Sequence, residues 1–131
     1  MNKKIAVTGV VLISVSIILG AFGAHPLKEI LSSKQMASYD VGIRYQMYHG
    51  LGLLLLGLNA NKIKQSLNAV YWLLLLGTLF FSGSIYFLSL QDILSVKLNF
   101  LGPVTPLGGV FMIAGWILLI IKMTKINGGN D

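Results

Sequence analysis

The stretch that decides the fold is "RYQMYHGLGLLLLG", Arg44 to Gly57, in which arginine, glutamine and histidine run straight into a block of leucine and glycine. Polar groups of this kind are costly in lipid. A membrane helix through this stretch must therefore hold Arg44, Gln46 and His49 at its edge or give them partners inside a bundle. With its flanks the apolar run covers Val41 to Leu58, and three more runs of the same kind lie outward from it: Ile5 to Ala24, Ala69 to Leu90, and Pro103 to Ile121. Each falls within the range of about 17 to 25 residues, rising about 1.5 Å apiece, that a membrane-spanning helix takes.

The 131-residue composition agrees: 55% of the residues are hydrophobic and only 11% charged, with a mean hydropathy of +0.78. A water-soluble domain of this size would expose greasy surface. The expected architecture is an all-α membrane protein, a single compact bundle of four transmembrane helices over residues 1-131 with spans near 5-24, 41-58, 69-90 and 103-121. Short connections leave no room for a soluble catalytic domain or a nucleic-acid module. With no cysteine, disulfides, thiolate metal sites and thiol nucleophiles are excluded.

The formal charge of +6 is unevenly spread. Lys3, Lys4, Lys62, Lys64, Lys122 and Lys125 lie at the two termini and the second connection, opposed by Asp131 alone. The remaining segments set Lys28, Lys34, Arg44 and Lys97 against Glu29, Asp40 and Asp92. Such an asymmetry is the positive-inside pattern, which places both termini in the cytoplasm of a multi-pass protein. The start of the chain, "MNKK", an apolar core and "AFGA", also has the look of a secretory signal. Its apolar stretch is long enough to span, and the reading adopted is a helix that stays.

On the first helix Ser16, Gly20 and Ala24 recur every four residues, with Gly23 nearby, as a close-packing seam. Gly83, Gly108 and Gly109 are further helix-packing positions. Pro26 suits the first turn of a short interfacial helix carrying Leu27, Ile30 and Leu31, after which Ser32 or Ser33 caps the second span. Counting inward from Val41 places His49 about 12 Å deep, and counting back from Leu90 places Ser82 about 12 Å, Ser84 about 9 Å and Tyr86 about 6 Å deep. His25 and Thr105 fall near the surface of the same leaflet.

The candidate polar cluster is therefore His25, Arg44, Gln46, His49, Ser82, Ser84, Tyr86 and Thr105, all in the outer half of the bundle. Gly42, Gln46 and His49 share one face of the second helix, while Asp40 and Arg44 lie on another, Arg44 as a snorkelling anchor. For His49 a hydrogen bond to Ser82, Ser84 or Tyr86 stands beside a ligand or proton-handling role. The usual catalytic templates fail. Two histidines at such different depths do not share one iron. The spans hold no buried carboxylate for a proton relay, and Ser82 and Ser84 lack an acidic orienting group. The expectation is no catalytic residues, no metal and no cofactor.

At these same residues the chain resembles a known family, the small transmembrane protein 256 or domain of unknown function 423 group. The matching stretches are "GAFGAHPLK" (Gly20 to Lys28), "RYQMYHGLGLLLLG", "FSGSIYFL" (Phe81 to Leu88) and "GPVTPLGGVFMIAGW" (Gly102 to Trp116), which recur in order over nearly the whole chain. The resemblance implies a four-helix protein of the bacterial plasma membrane, and implies no activity. The leading expectation is a non-enzymatic accessory or interaction protein that binds a partner membrane protein or lipid. The alternatives are a small-solute carrier or pore formed by a homo-oligomer, with a path lined by Gln46, His49 and Thr105, and a quinone- or haem-binding membrane subunit. Nucleic acid is not an expected partner.

Overall fold

Four long helices form along the chain of the computed structural model, which describes residues 1–127. They are α1 (Lys3–Ala24), α2 (Ser33–Leu58), α3 (Asn68–Leu90) and α4 (Val104–Asn127). No strand occurs among the described residues. Their starts follow from local chemistry. The Asn2 side chain accepts from Ile5 N at 3.1 Å, and Ser32 and Gln35 form a reciprocal capping box at the start of α2, each satisfying backbone groups that a helix end leaves orphaned. That box lets the polar stretch "KQMASYD" continue as helix ahead of the apolar run.

Single-turn 3₁₀ segments at Ala60–Lys62 and Asn99–Leu101 lie in the second and third connections. The first connection differs from expectation. Residues 25–30 form a run of hydrogen-bonded turns rather than a helix, closed by Leu27 N to Phe22 O at 3.1 Å and Leu31 N to Leu27 O at 2.8 Å. Leu31 is buried while most of the turns stay exposed, and this run of turns replaces the interfacial helix expected over Pro26 to Leu31.

The helices pack in chain order, α1 on α2, α2 on α3, and α3 on α4. Surface and interior are inverted relative to a soluble bundle. Val11, Ile18, Leu55, Leu79, Ile113 and Ile120 are among many large apolar side chains turned outward, while Ser16, Gln46, His49, Thr78, Ser82, Ser84 and Ser89 are buried. An apolar exterior on this scale belongs against lipid. Three of the helices, α1, α3 and α4, are long and apolar enough to cross a membrane. In α2 the leucines are diluted by Arg44, Gln46 and His49.

Buried positions recur every seven residues: Gly9, Ser16 and Gly23 on α1; Tyr39, Gln46 and Leu53, with Gly42 and His49, on α2; Val70, Gly77 and Ser84 on α3; Gly108 and Gly115 on α4. This 3.5-residue period is that of left-handed coiled-coil packing, common in membrane bundles. It also relocates the small-residue seam. A Cβ on Gly9 would lie 2.5 Å from Leu54 N and 2.6 Å from Gly50 O, and one on Gly77 2.9 Å from Gly108 O. Gly23 lies under the Tyr39 ring, and Gly108 meets the backbone of Phe81 and Gly77. Gly20 and Gly109 make only ordinary contacts, Gly83 has open space where its side chain would be, and Ala24 is exposed. Four-residue spacing within one helix named the wrong seam at Gly20 and Ala24, because the partner follows a seven-residue repeat.

Candidate functional site

Gln46 lies at the centre of the polar interior. It is 5% exposed, its Nε2 donates to the Leu12 carbonyl of α1 at 2.9 Å, and its Oε1 accepts from the Tyr86 hydroxyl of α3 at 2.7 Å. One carboxamide thereby ties three helices together. Close by, Ser82 Oγ donates to the Gly42 carbonyl at 2.7 Å. The Gly42 position also lets the Tyr86 ring lie flat on α2, since a Cβ there would stand 2.7 Å from it.

His49 points elsewhere. Its Nε2 accepts from the Trp116 indole N–H of α4 at 3.1 Å, and its Nδ1 lies 2.8 Å from the Tyr45 carbonyl. Because an indole N–H only donates, the ring carries its proton on Nδ1 and gives it to that carbonyl. None of Ser82, Ser84 or Tyr86 is its partner, contrary to the bridge to the third helix expected from depth. His49 follows Gln46 by three residues, which turns it by about 60° around the helix axis, toward α4. Gly52, one turn on, presents its bare backbone to the same indole ring, at 2.9 Å from a would-be Cβ.

Ser84 contacts the Thr105 hydroxyl at 2.6 Å, joining α3 to the first turn of α4. Gln46, His49, Ser82, Ser84, Tyr86 and Thr105 are thus drawn into bonds between helices, while Arg44 and His25 are not part of that set. Arg44 is exposed on the outer side of α2 together with Tyr45 and Tyr48, and His25 is exposed at the end of α1.

Two participants escaped the sequence reading. Trp116 was the available signal, since a half-buried indole in a dry bundle needs an acceptor for its N–H, and His49 offers one. Tyr39, 1% exposed, donates its hydroxyl to the Leu19 carbonyl of α1. At the opposite end, Lys4 lies over the rings of Tyr71 and Trp72, 4.9 and 4.8 Å from their centroids, and Thr8 contacts the Tyr71 hydroxyl at 3.0 Å.

His49→Leu is expected to cost about 0.6 to 2 kcal/mol of bundle stability, the range of polar bonds in bilayers. Trp116→Phe in that background should add little, since the indole N–H has already lost its acceptor. Unfolding of the single and double variants in detergent checks this. Fully additive losses would mean that the His49–Trp116 bond carries no energy.

Residues 19–109 match the profile of the family described as "Protein of unknown function (DUF423)". The chain belongs to the DUF423 family. Relatives extend along most of its length. A UPF0382 membrane protein of Staphylococcus haemolyticus is 43% identical over 96% of this chain and 99% of its own. The UPF0382 membrane protein YwdK of Bacillus subtilis is 36% identical over 94% and 98%, and a UPF0382 membrane protein of Staphylococcus epidermidis 47% identical over 83% and 85%. No solved structure is significantly similar to the chain. This DUF423 protein is accordingly an integral membrane protein of an uncharacterised family, which its three long apolar helices fit.

Proposed function

We propose that this DUF423 protein is a non-enzymatic accessory protein of the bacterial plasma membrane that binds a partner membrane protein through the outer face of α2. All four helices cross the bilayer in this reading, with both termini in the cytoplasm. The antiparallel α1–α2 pair, which sets Gly9 beside Gly50 and Gly23 beside Tyr39, supports it. So does the gathering of Lys3, Lys4, Lys62, Lys64, Lys122 and Lys125 toward one end.

The observation that carries the reading is a division of labour along α2. Its inner polar groups are already occupied within the bundle: Gln46 by Leu12 and Tyr86, and His49 by Tyr45 and Trp116. Its outer face presents Arg44 with Tyr45, 40% exposed, and Tyr48, 57% exposed. Tyrosine and arginine are enriched at the interfaces of protein complexes, and polar side chains in a membrane find hydrogen bonds across helices.

A photo-crosslinking residue placed at Tyr48, with Ile18 on α1 as the lipid-facing control, tests this in native membranes. The expected result is a reproducible protein adduct at Tyr48 and only lipid adducts at Ile18. Lipid adducts alone at both positions would overturn the interaction reading.

A further inference from the structure

A second site lies where α2 begins and α3 ends. A cleft of about 360 Å³ opens there, lined by Lys34, Gln35 and Ser38 of α2, by Ile85, Leu88 and Ser89 of α3, and by Thr105 of α4, with Gln91 at its rim. Its chemistry is graded. Ile85 and Leu88 supply an apolar wall on the bundle side, and Lys34 and Ser38 stand exposed at the mouth, ahead of the apolar run that starts at Val41.

Ser89 is the anomaly. It is 3% exposed, and its hydroxyl is the one buried side-chain polar atom without a hydrogen-bond partner among the described residues. Other helical hydroxyls of this chain satisfy themselves on the carbonyl four residues back, as Ser14 does on Val10, Ser16 on Leu12 and Thr78 on Leu74. Ser89 makes no such bond to Ile85. A buried hydroxyl held away from its own helix is costly unless something else accepts from it.

The neighbouring groups name the missing acceptor. Lys34 brings an ammonium that only donates, Ser38 and Ser89 bring hydroxyls, and the Gln91 carboxamide, whose oxygen is taken by Leu98 N at 2.9 Å, has its amide protons left to give. Gln35 is already committed to the capping box and to Asp92, at 2.8 Å. The Thr105 hydroxyl is shared with Ser84. The Asp92 carboxylate is taken up by Gln35 and does not line the cleft; an ammonium, a free amide and hydroxyls able to donate suit an anion that only accepts. We propose that the cleft binds the phosphodiester of an anionic bilayer phospholipid, with Ser89 donating to a phosphate oxygen, Lys34 pairing with its charge, and the first methylenes lying on Ile85 and Leu88. The place fits a lipid, because headgroups sit where a helix passes from polar to apolar. It is independent of the partner face on α2, since Arg44, Tyr45 and Tyr48 do not line it.

Native mass spectrometry of the full chain, released from detergent with added phosphatidylglycerol, tests the assignment. Ser89→Ala and Lys34→Gln are each expected to weaken lipid binding by roughly tenfold, the worth of one hydrogen bond to a charged group, and diacylglycerol without the phosphate should bind no better than background. Without lipid, Ser89→Ala should melt at the same temperature as the parent or higher, because it deletes an unpaired hydroxyl. Equal phosphatidylglycerol binding by parent and both variants would mean a nonspecific lipid belt and overturn the site. A lower melting temperature of lipid-free Ser89→Ala would reveal a protein partner for the hydroxyl and overturn it too. Displacement of the lipid by millimolar inorganic phosphate, with the same sensitivity to the two variants, would assign the cleft to free phosphate and overturn the lipid.

Discussion

Gly9→Ala is expected to cost about 3 kcal/mol and to deplete the folded population, whereas Gly83→Ala should leave it intact or raise it. In isolation both changes favour a helix, by about 1 kcal/mol over glycine. Packing decides between them. The added methyl at Gly9 would meet Leu54 N at 2.5 Å and Gly50 O at 2.6 Å. These are backbone atoms of the facing helix that no rotamer change can move. Relief requires α1 and α2 to separate, which loosens the contacts of the buried Leu12 and Leu53 nearby. Overpacking of this kind typically costs 1–3 kcal/mol or more, and here it stands at the upper end. Gly77→Ala repeats the test in the α3–α4 pair, where the methyl would lie 2.8 Å from Met112 N. Gly83 has nothing within 4 Å. Thermal unfolding in detergent, followed by circular dichroism, should rank Gly83→Ala at or above the parent and the other two well below it. Equal melting temperatures for all three would mean that the helices do not approach as closely as described.

The second large effect is expected at Gln46. Gln46→Leu removes the donor to Leu12 O and the acceptor of the Tyr86 hydroxyl in one step; Leu12 O keeps the Ser16 hydroxyl, so the group left stranded is the Tyr86 hydroxyl. An unsatisfied buried polar group costs about 1–3 kcal/mol in water-soluble proteins, while measured polar bonds in bilayers average nearer 0.6. With one group stranded and a second bond lost, about 2 kcal/mol is the expected loss. Tyr86→Phe alone should cost about 0.6 kcal/mol, and in the Gln46→Leu background it should be neutral or favourable, because the orphaned hydroxyl disappears. A double-mutant cycle reads this directly. A coupling energy indistinguishable from zero would remove Gln46 from its place as the tie between α1 and α3.

Much of this was legible in the chain itself. The four apolar runs located the helices, and the depth count set Gln46, Ser82, Ser84, Tyr86 and Thr105 toward one end of the bundle, where the structure pairs Gln46 with Tyr86 and Ser84 with Thr105 and bonds Ser82 to the Gly42 carbonyl. What depth lacks is direction around the helix. His49 and Ser82 stand at similar depth, yet His49 turns to Trp116 and Ser82 to Gly42. The same gap misplaced the packing seam. Gly20 and Ala24 satisfy a four-residue rule inside α1, but only the facing helix shows that Gly9, Ser16 and Gly23 are the positions that touch it. Pro26 read as a helix start, and turns formed instead because Leu27, Ile30 and Leu31 close bonds among themselves and with Phe22 in the short span before the Ser32 cap.

The recurrence of small residues every seven positions carries a hazard. A pair of helices whose glycines and serines repeat every heptad has more than one sterically acceptable docking, because sliding one past the other by seven residues, about 10 Å, again sets small against small. Apolar contacts alone distinguish such alignments poorly. The bonds of Gln46 to Leu12 and Tyr86, of Ser82 to Gly42 and of Tyr39 to Leu19 exist in one alignment only. In the slipped states these groups would face hydrocarbon unpaired. The interior polar residues therefore act as a vernier: modest in the strength they add, they single out the one setting in which every mark coincides, much as a lone asparagine does in a coiled coil.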